Sequence, residues 1–110
     1  MVAAIDRYTY RVFWSDDDGE FVGLCAEFPS LSWLAESAPA AFDGIRGVVR
    51  EVISDMQANG EPIPEPLATR HYSGVFTVRV PSELHRKLAV EAAEANVSLN
   101  RLISARLSTP

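Results

Sequence analysis

Asp16, Asp17 and Asp18 stand together in a turn-forming run, Ser15-Asp16-Asp17-Asp18-Gly19. A two-metal nuclease site needs carboxylates brought together from separate elements. Three consecutive side chains cannot all face one ion, so this run reads as a solvated hairpin turn. Glu20, Glu27 and Glu36 form no recognisable catalytic spacing. His71 and His85 are far apart in the chain, whereas a helical metal pair sits about four residues apart. Cys25 is the single cysteine and lies in the apolar run Phe21-Val22-Gly23-Leu24-Cys25-Ala26, the setting of a buried, inert thiol. No Ser/His/Asp set, phosphate-cradling glycine loop or cysteine pair occurs. The sequence predicts no catalysis, no bound metal and no cofactor.

Arg79 has a different setting. In Gly74-Val75-Phe76-Thr77-Val78-Arg79-Val80-Pro81, strand alternation puts Phe76, Val78 and Val80 on one face and Val75, Thr77 and Arg79 on the other. A guanidinium on the outward face of a strand can grip a guanine edge with two hydrogen bonds. Ser98 opens a second chemical opportunity. It stands where it caps a helix carrying Leu99, Leu102, Ile103 and Leu107, and the free N–H groups at such a start hold phosphate.

The elements that must position these residues follow from pattern. Tyr8-Thr9-Tyr10-Arg11-Val12-Phe13-Trp14 reads as a strand, Glu20 to Glu27 as its return across the aspartate turn, and Leu31 to Leu34 as a short third strand after Pro29-Ser30. Ser37 is placed to cap a helix from Pro39 to Asn59 whose apolar face is Phe42, Ile45, Val49, Val52 and Met56, widened by Val48 and Ile53 and ended by Gly60. Trp14 and Trp33 suit core packing or a protein contact equally well. Glu61-Pro62-Ile63-Pro64-Glu65-Pro66 forbids a helix and predicts an extended connector. Beyond it come the strand at 75–80, a helix from Ser82 as cap to about Asn96 with the stripe Leu84, Leu88, Ala92 and Ala95, and the Ser98 helix.

These elements predict an α+β chain of two modules: residues 1–66, a small antiparallel sheet with one helix and a linker from about 61, and residues 67–110. Charge divides at the same place. Residues 1–66 hold twelve acids against Arg7, Arg11, Arg46 and Arg50, a net charge of −8, while residues 67–110 hold three acids against six bases, a net charge of +3. The first half suits a cationic partner and the second an anionic one. A single cysteine fits a reducing cytoplasm. The sequence shows no signal-peptide pattern and no apolar run long enough for a bilayer, so a cytoplasmic protein without membrane contact is expected.

A module with one strand and two helices leaves both strand edges unpaired and two apolar stripes without a third layer. Antiparallel pairing of two copies solves both problems. It encloses Phe76, Val78, Val80, Leu84, Leu88, Leu99 and Ile103 from each chain and leaves a two-stranded ribbon of a size for the major groove. A homodimer or higher even oligomer is expected.

Residues 74–107 resemble the ribbon-helix-helix family of bacterial repressors and antitoxins, through Arg79-Val80-Pro81-Ser82, the helix that follows, and Val97-Ser98-Leu99-Asn100. The resemblance implies that Val75, Thr77 and Arg79 read bases of double-stranded operator DNA. It implies that Ser98, Asn100 and Arg101 contact its phosphates. The upstream part, with Phe28-Pro29-Ser30-Leu31 and Gly60-Glu61-Pro62-Ile63-Pro64-Glu65-Pro66, resembles the N-terminal domain of HicB-type antitoxins. That domain is a degenerate ribonuclease-H-like module that inhibits a small basic ribonuclease, the HicA toxin. Together the resemblances imply a type II antitoxin that neutralises a HicA-like toxin and represses its own operon. The residues alone leave open a stand-alone regulator whose first module binds a ligand or only oligomerises.

Overall fold

Alternation of aromatic and β-branched residues produces a hairpin. Tyr10–Ser15 (β1) pairs antiparallel with Glu20–Cys25 (β2), from Tyr10 opposite Cys25 to Ser15 opposite Glu20. This computed structural model describes residues 3–109. The aspartate run closes the hairpin as a four-residue loop, not a two-residue turn. The Gly19 N–H donates to the Ser15 carbonyl at 2.9 Å. Gly19 takes φ +64°, a left-handed angle that glycine adopts without strain. Trp14 Nε1 donates to Asp16 Oδ1 at 2.6 Å, and the Ser15 hydroxyl donates to Asp18 Oδ2 at 2.8 Å. Two of the three aspartates are therefore spent on the turn itself. The expected third strand forms as Ser32–Ala35 (β3), antiparallel to β2, giving the sheet order β1-β2-β3.

Before the sheet, Ala4–Arg7 forms a short helix, α1, which periodicity over so few residues does not announce. It is tied down by its side chains: Asp6 pairs with Arg46 at 2.6 Å, and Ile5 packs against the core. The strand expected from Tyr8 begins only at Tyr10. Tyr8 turns inward instead, 6% exposed, with its ring edge-on to Phe28 and its hydroxyl donating to the Pro64 carbonyl at 2.8 Å.

Ala38–Ala58 (α2) crosses one face of the sheet. The Ser37 hydroxyl oxygen accepts the Ala40 N–H at 3.2 Å, the expected cap. At the other end Gly60 sits at φ +70°, its N–H donating to the Gln57 carbonyl while Glu61 N–H reaches Met56. This pair of bonds is a Schellman closure. Ala41, Ile45 and Val49 are the buried residues of α2. Phe42, expected in the core stripe, lies at its margin, 40% exposed and edge-on to Tyr10 with the Arg46 guanidinium over it. The helix sits close because β2 has a glycine beneath it: a Cβ on Gly23 would lie 2.6 Å from the Ala41 carbonyl oxygen. Cys25 is buried as expected, and burial pushes its thiol above the usual range. Burial likewise raises the Tyr10 hydroxyl to about 12.

The chain divides into two compact units, Met1–Tyr72 and Ser73–Pro110. The proline-rich segment stays with the first unit through Glu27. This carboxylate accepts the Thr9 N–H and the Leu67 N–H, each at 2.9 Å, and the Thr9 hydroxyl at 3.2 Å. Burial alone would raise the Glu27 carboxyl, but these donors hold it below its ordinary value.

In the second unit, Ser82–Glu94 (α3) and Leu99–Leu107 (α4) are joined by a sharp corner. Asn96 adopts φ +56°, its N–H reaching Ala93 while Val97 N–H reaches Ala92, the same closure as at Gly60. Ser82 does not cap α3 as expected. Pro81 occupies the cap position, and Ser82 is already the first helical residue with no side-chain cap bond. An ion pair between Arg106 and Glu91 ties α4 to α3.

Candidate nucleic-acid interface

Residues 75–80, read as a strand, belong to no helix and no ladder among the described residues. A single copy offers them no partner. Their apolar side chains are bare: Phe76 is 73% and Val78 65% exposed. Among the described residues of the second unit, Ala92 is the one buried side chain. The amphipathic stripes of α3 and α4 therefore end in an open groove of about 810 Å³, whose walls include Phe76, Val78, Val80, Leu88, Leu99 and Ile103. Six of the seven residues expected in a shared core thus meet on one surface. The seventh, Leu84, is 43% exposed and lies outside the groove lining.

Thr77 and Arg79 are exposed and take no part in the groove. Val75, expected beside them on the outward face, is 84% exposed and also borders the groove. Asn100, expected at a phosphate, is exposed and touches the end of the same groove, as does His85. The His85 position was legible as a helix residue, but its side of the helix was not: Leu84 and His85 are adjacent, and only packing decides which turns inward.

At the start of α4 the Ser98 hydroxyl oxygen accepts the Arg101 N–H at 3.1 Å. The cap satisfies one of the first-turn donors and leaves the Leu99 and Asn100 N–H groups without an intrahelical acceptor. Positive charge is unevenly engaged. Arg86 grips Glu83 through Nε and Nη2, and Arg106 pairs with Glu91. Arg79, Lys87 and Arg101 take no ion pair among the described residues. The unit therefore offers free cations, a helix start with open N–H groups, and an apolar surface that water covers in a single copy. Such a set can bind an anionic polymer and another apolar surface.

Among the described residues no helix is long and apolar enough to cross a membrane. Neither a curated protein nor a solved structure matches the chain. A family model does match, over a stretch that runs from the last turn of α2 through the proline-rich segment to the end of α4: residues 58–107 of this chain are similar to the HicB family.

Proposed function

We propose that the chain is the antitoxin of a type II toxin–antitoxin pair, binding operator DNA as a dimer through its second unit and holding a small basic HicA-like ribonuclease through its first. The observation that carries the reading is the incomplete second unit. A module in which Ala92 alone is buried lacks the apolar burial that stabilises a fold of its size. Its bare segment 75–80 and its groove are complementary in chemistry to a second copy of themselves. Pairing two such segments antiparallel gives the N–H and carbonyl groups of the shared edge their partners, and leaves Thr77 and Arg79 of both chains on the side away from the groove.

The similarity of residues 58–107 to the HicB family, an antitoxin family, supports the assignment of role. The net charge of −8 on residues 1–66 supports a cationic protein partner there. The sheet with one helix across it is consistent with a reduced ribonuclease-H-like module.

The test is sedimentation of the full chain together with a binding titration on the DNA upstream of its own gene. The expected result is an even oligomer that retards this duplex in preference to a scrambled one. A folded monomer, or equal retention of both duplexes, removes the reading.

A further inference from the structure

The first unit has a second face. Since α2 covers one side of the three-stranded sheet, the residues alternating to the other side meet no layer among the described elements of that unit. In register across the strands they form rows: Arg11, Leu24 and Ser32; then Phe13, Val22 and Leu34; then Ser15 and Glu20 at the hairpin end. The middle row is wholly apolar. Phe13 is 38% and Leu34 42% exposed, while Val22 between them is only 8% exposed, so the two outer side chains shelter the central one and present their own surfaces to solvent. The Arg11 guanidinium lies 4.8 Å from the Phe13 ring centroid, which fixes that ring from one side.

The other side of the row is acidic. Asp16, Asp17 and Asp18 form the hairpin loop, Glu20 ends the outer row, and Glu36, exposed, follows β3 directly. None of these five carboxylates takes an ion pair among the described residues. An apolar centre edged by uncompensated charge of one sign is the composition of a protein-docking patch, with the apolar part desolvated on binding and the charged rim steering the encounter.

We infer that the sheet face centred on Phe13, Val22 and Leu34, with the rim Asp16–Asp18, Glu20 and Glu36, is the surface that seats a basic protein. This rests on the antitoxin reading for the identity of the occupant, but the choice of face follows from the sheet alone. The occupant must present an apolar spot flanked by lysines or arginines. A second copy of this chain fits poorly, because the same acidic rims would be brought together.

The probe is the small basic protein that the antitoxin reading places in an adjoining reading frame, made by cell-free synthesis and titrated against the full chain. Asp17→Lys with Glu36→Lys changes only exposed side chains, and is expected to weaken binding at least tenfold at physiological salt. Glu51→Lys with Asp55→Lys makes the same change in net charge on exposed positions of α2. It is expected to alter binding less than twofold, because fields of exposed charges fade over about 8 Å at that salt. Phe13→Ser is expected to abolish the complex, with hydrogen exchange of the full chain confirming that the sheet is still protected.

Equal loss from the two lysine pairs means that overall charge and not this face is read, and overturns the inference while leaving the antitoxin reading intact. Full binding by all variants does the same. Failure of the unaltered chain to bind the probe removes the antitoxin reading, and this occupant with it. A fall in the sedimenting mass of the free chain on Phe13→Ser identifies another copy on the face, and also overturns the inference.

Discussion

On the proposed function, Arg79 and Ser98 should fail in different ways, since the one would read sequence and the other would hold backbone. Arg79→Ala removes a side chain able to discriminate a base pair by about 1–3 kcal/mol, and is expected to weaken operator binding while leaving scrambled DNA nearly unaffected. Ser98→Ala loses the hydroxyl that accepts the Arg101 N–H, a cap worth about 1 kcal/mol, and should lower affinity for every duplex alike, because phosphates carry no sequence information. Titrations of both variants against both duplexes at several salt concentrations decide this. Equal weakening of both duplexes by Arg79→Ala would remove Arg79 from the reading surface. Glu27 makes the other residue-scale prediction. Glu27→Ala deletes the acceptor for Thr9 and Leu67, so tryptic cleavage after Arg70 should accelerate. Because the folded carboxyl titrates below its unfolded value, its contribution is present above pH about 4.5 and is lost as pH falls through the lower folded value. The difference in thermal midpoint between wild type and variant should therefore vanish in acid.

At the scale of elements, the close approach of α2 to β2 depends on Gly23. A methyl there meets the Ala41 carbonyl oxygen at 2.6 Å and the Ile45 side chain at 2.9 Å, and the carbonyl belongs to a helix that cannot yield locally. Gly23→Ala should cost about 1–3 kcal/mol, seen as a fall in thermal midpoint of about 4–8 °C for each kcal/mol. An unchanged midpoint would mean that the helix can slide. The elements themselves were largely legible. Tyr10 to Trp14, the aspartate turn, Ser37 as cap and Gly60 as stop all act locally, through alternation, loop closure or a single hydrogen bond, and local rules find them. Tyr8 was misread because its burial depends on Phe28 and Pro64, contacts no window of sequence contains. Ser82 was misread because Pro81 can fill the cap position with backbone alone. Of the candidate interface, Phe76, Val78 and Val80 were legible from strand alternation and Leu88, Leu99 and Ile103 from helical spacing, whereas the place of Val75 and His85 at the groove's border depends on how the segment lies against α3 and α4.

At the scale of the molecule, the proposed function assigns one task to the acidic first unit and another to the basic second unit. Val78 lies at the centre of the second surface. Val78→Asp would place two uncompensated carboxylates in a paired core, and removing such a charge from water costs several kcal/mol. Sedimentation of the full chain is expected to show the variant as a monomer that no longer retards operator DNA. Retention of the oligomer would show that other surfaces hold the copies together.

The bare segment from Ser73 to Val80 has a consequence in time as well as in space. A copy that has not met its mate displays this backbone and the apolar walls around Phe76 to any protease, and cleavage of such an open form follows how often it is populated. Pairing as proposed above would be second order in copy number, so dilution would lengthen the time each chain spends alone. The lifetime of the protein should then depend on its own abundance: long where copies are plentiful, short where they are scarce, so that a halt in synthesis is followed by a decline that quickens as it proceeds.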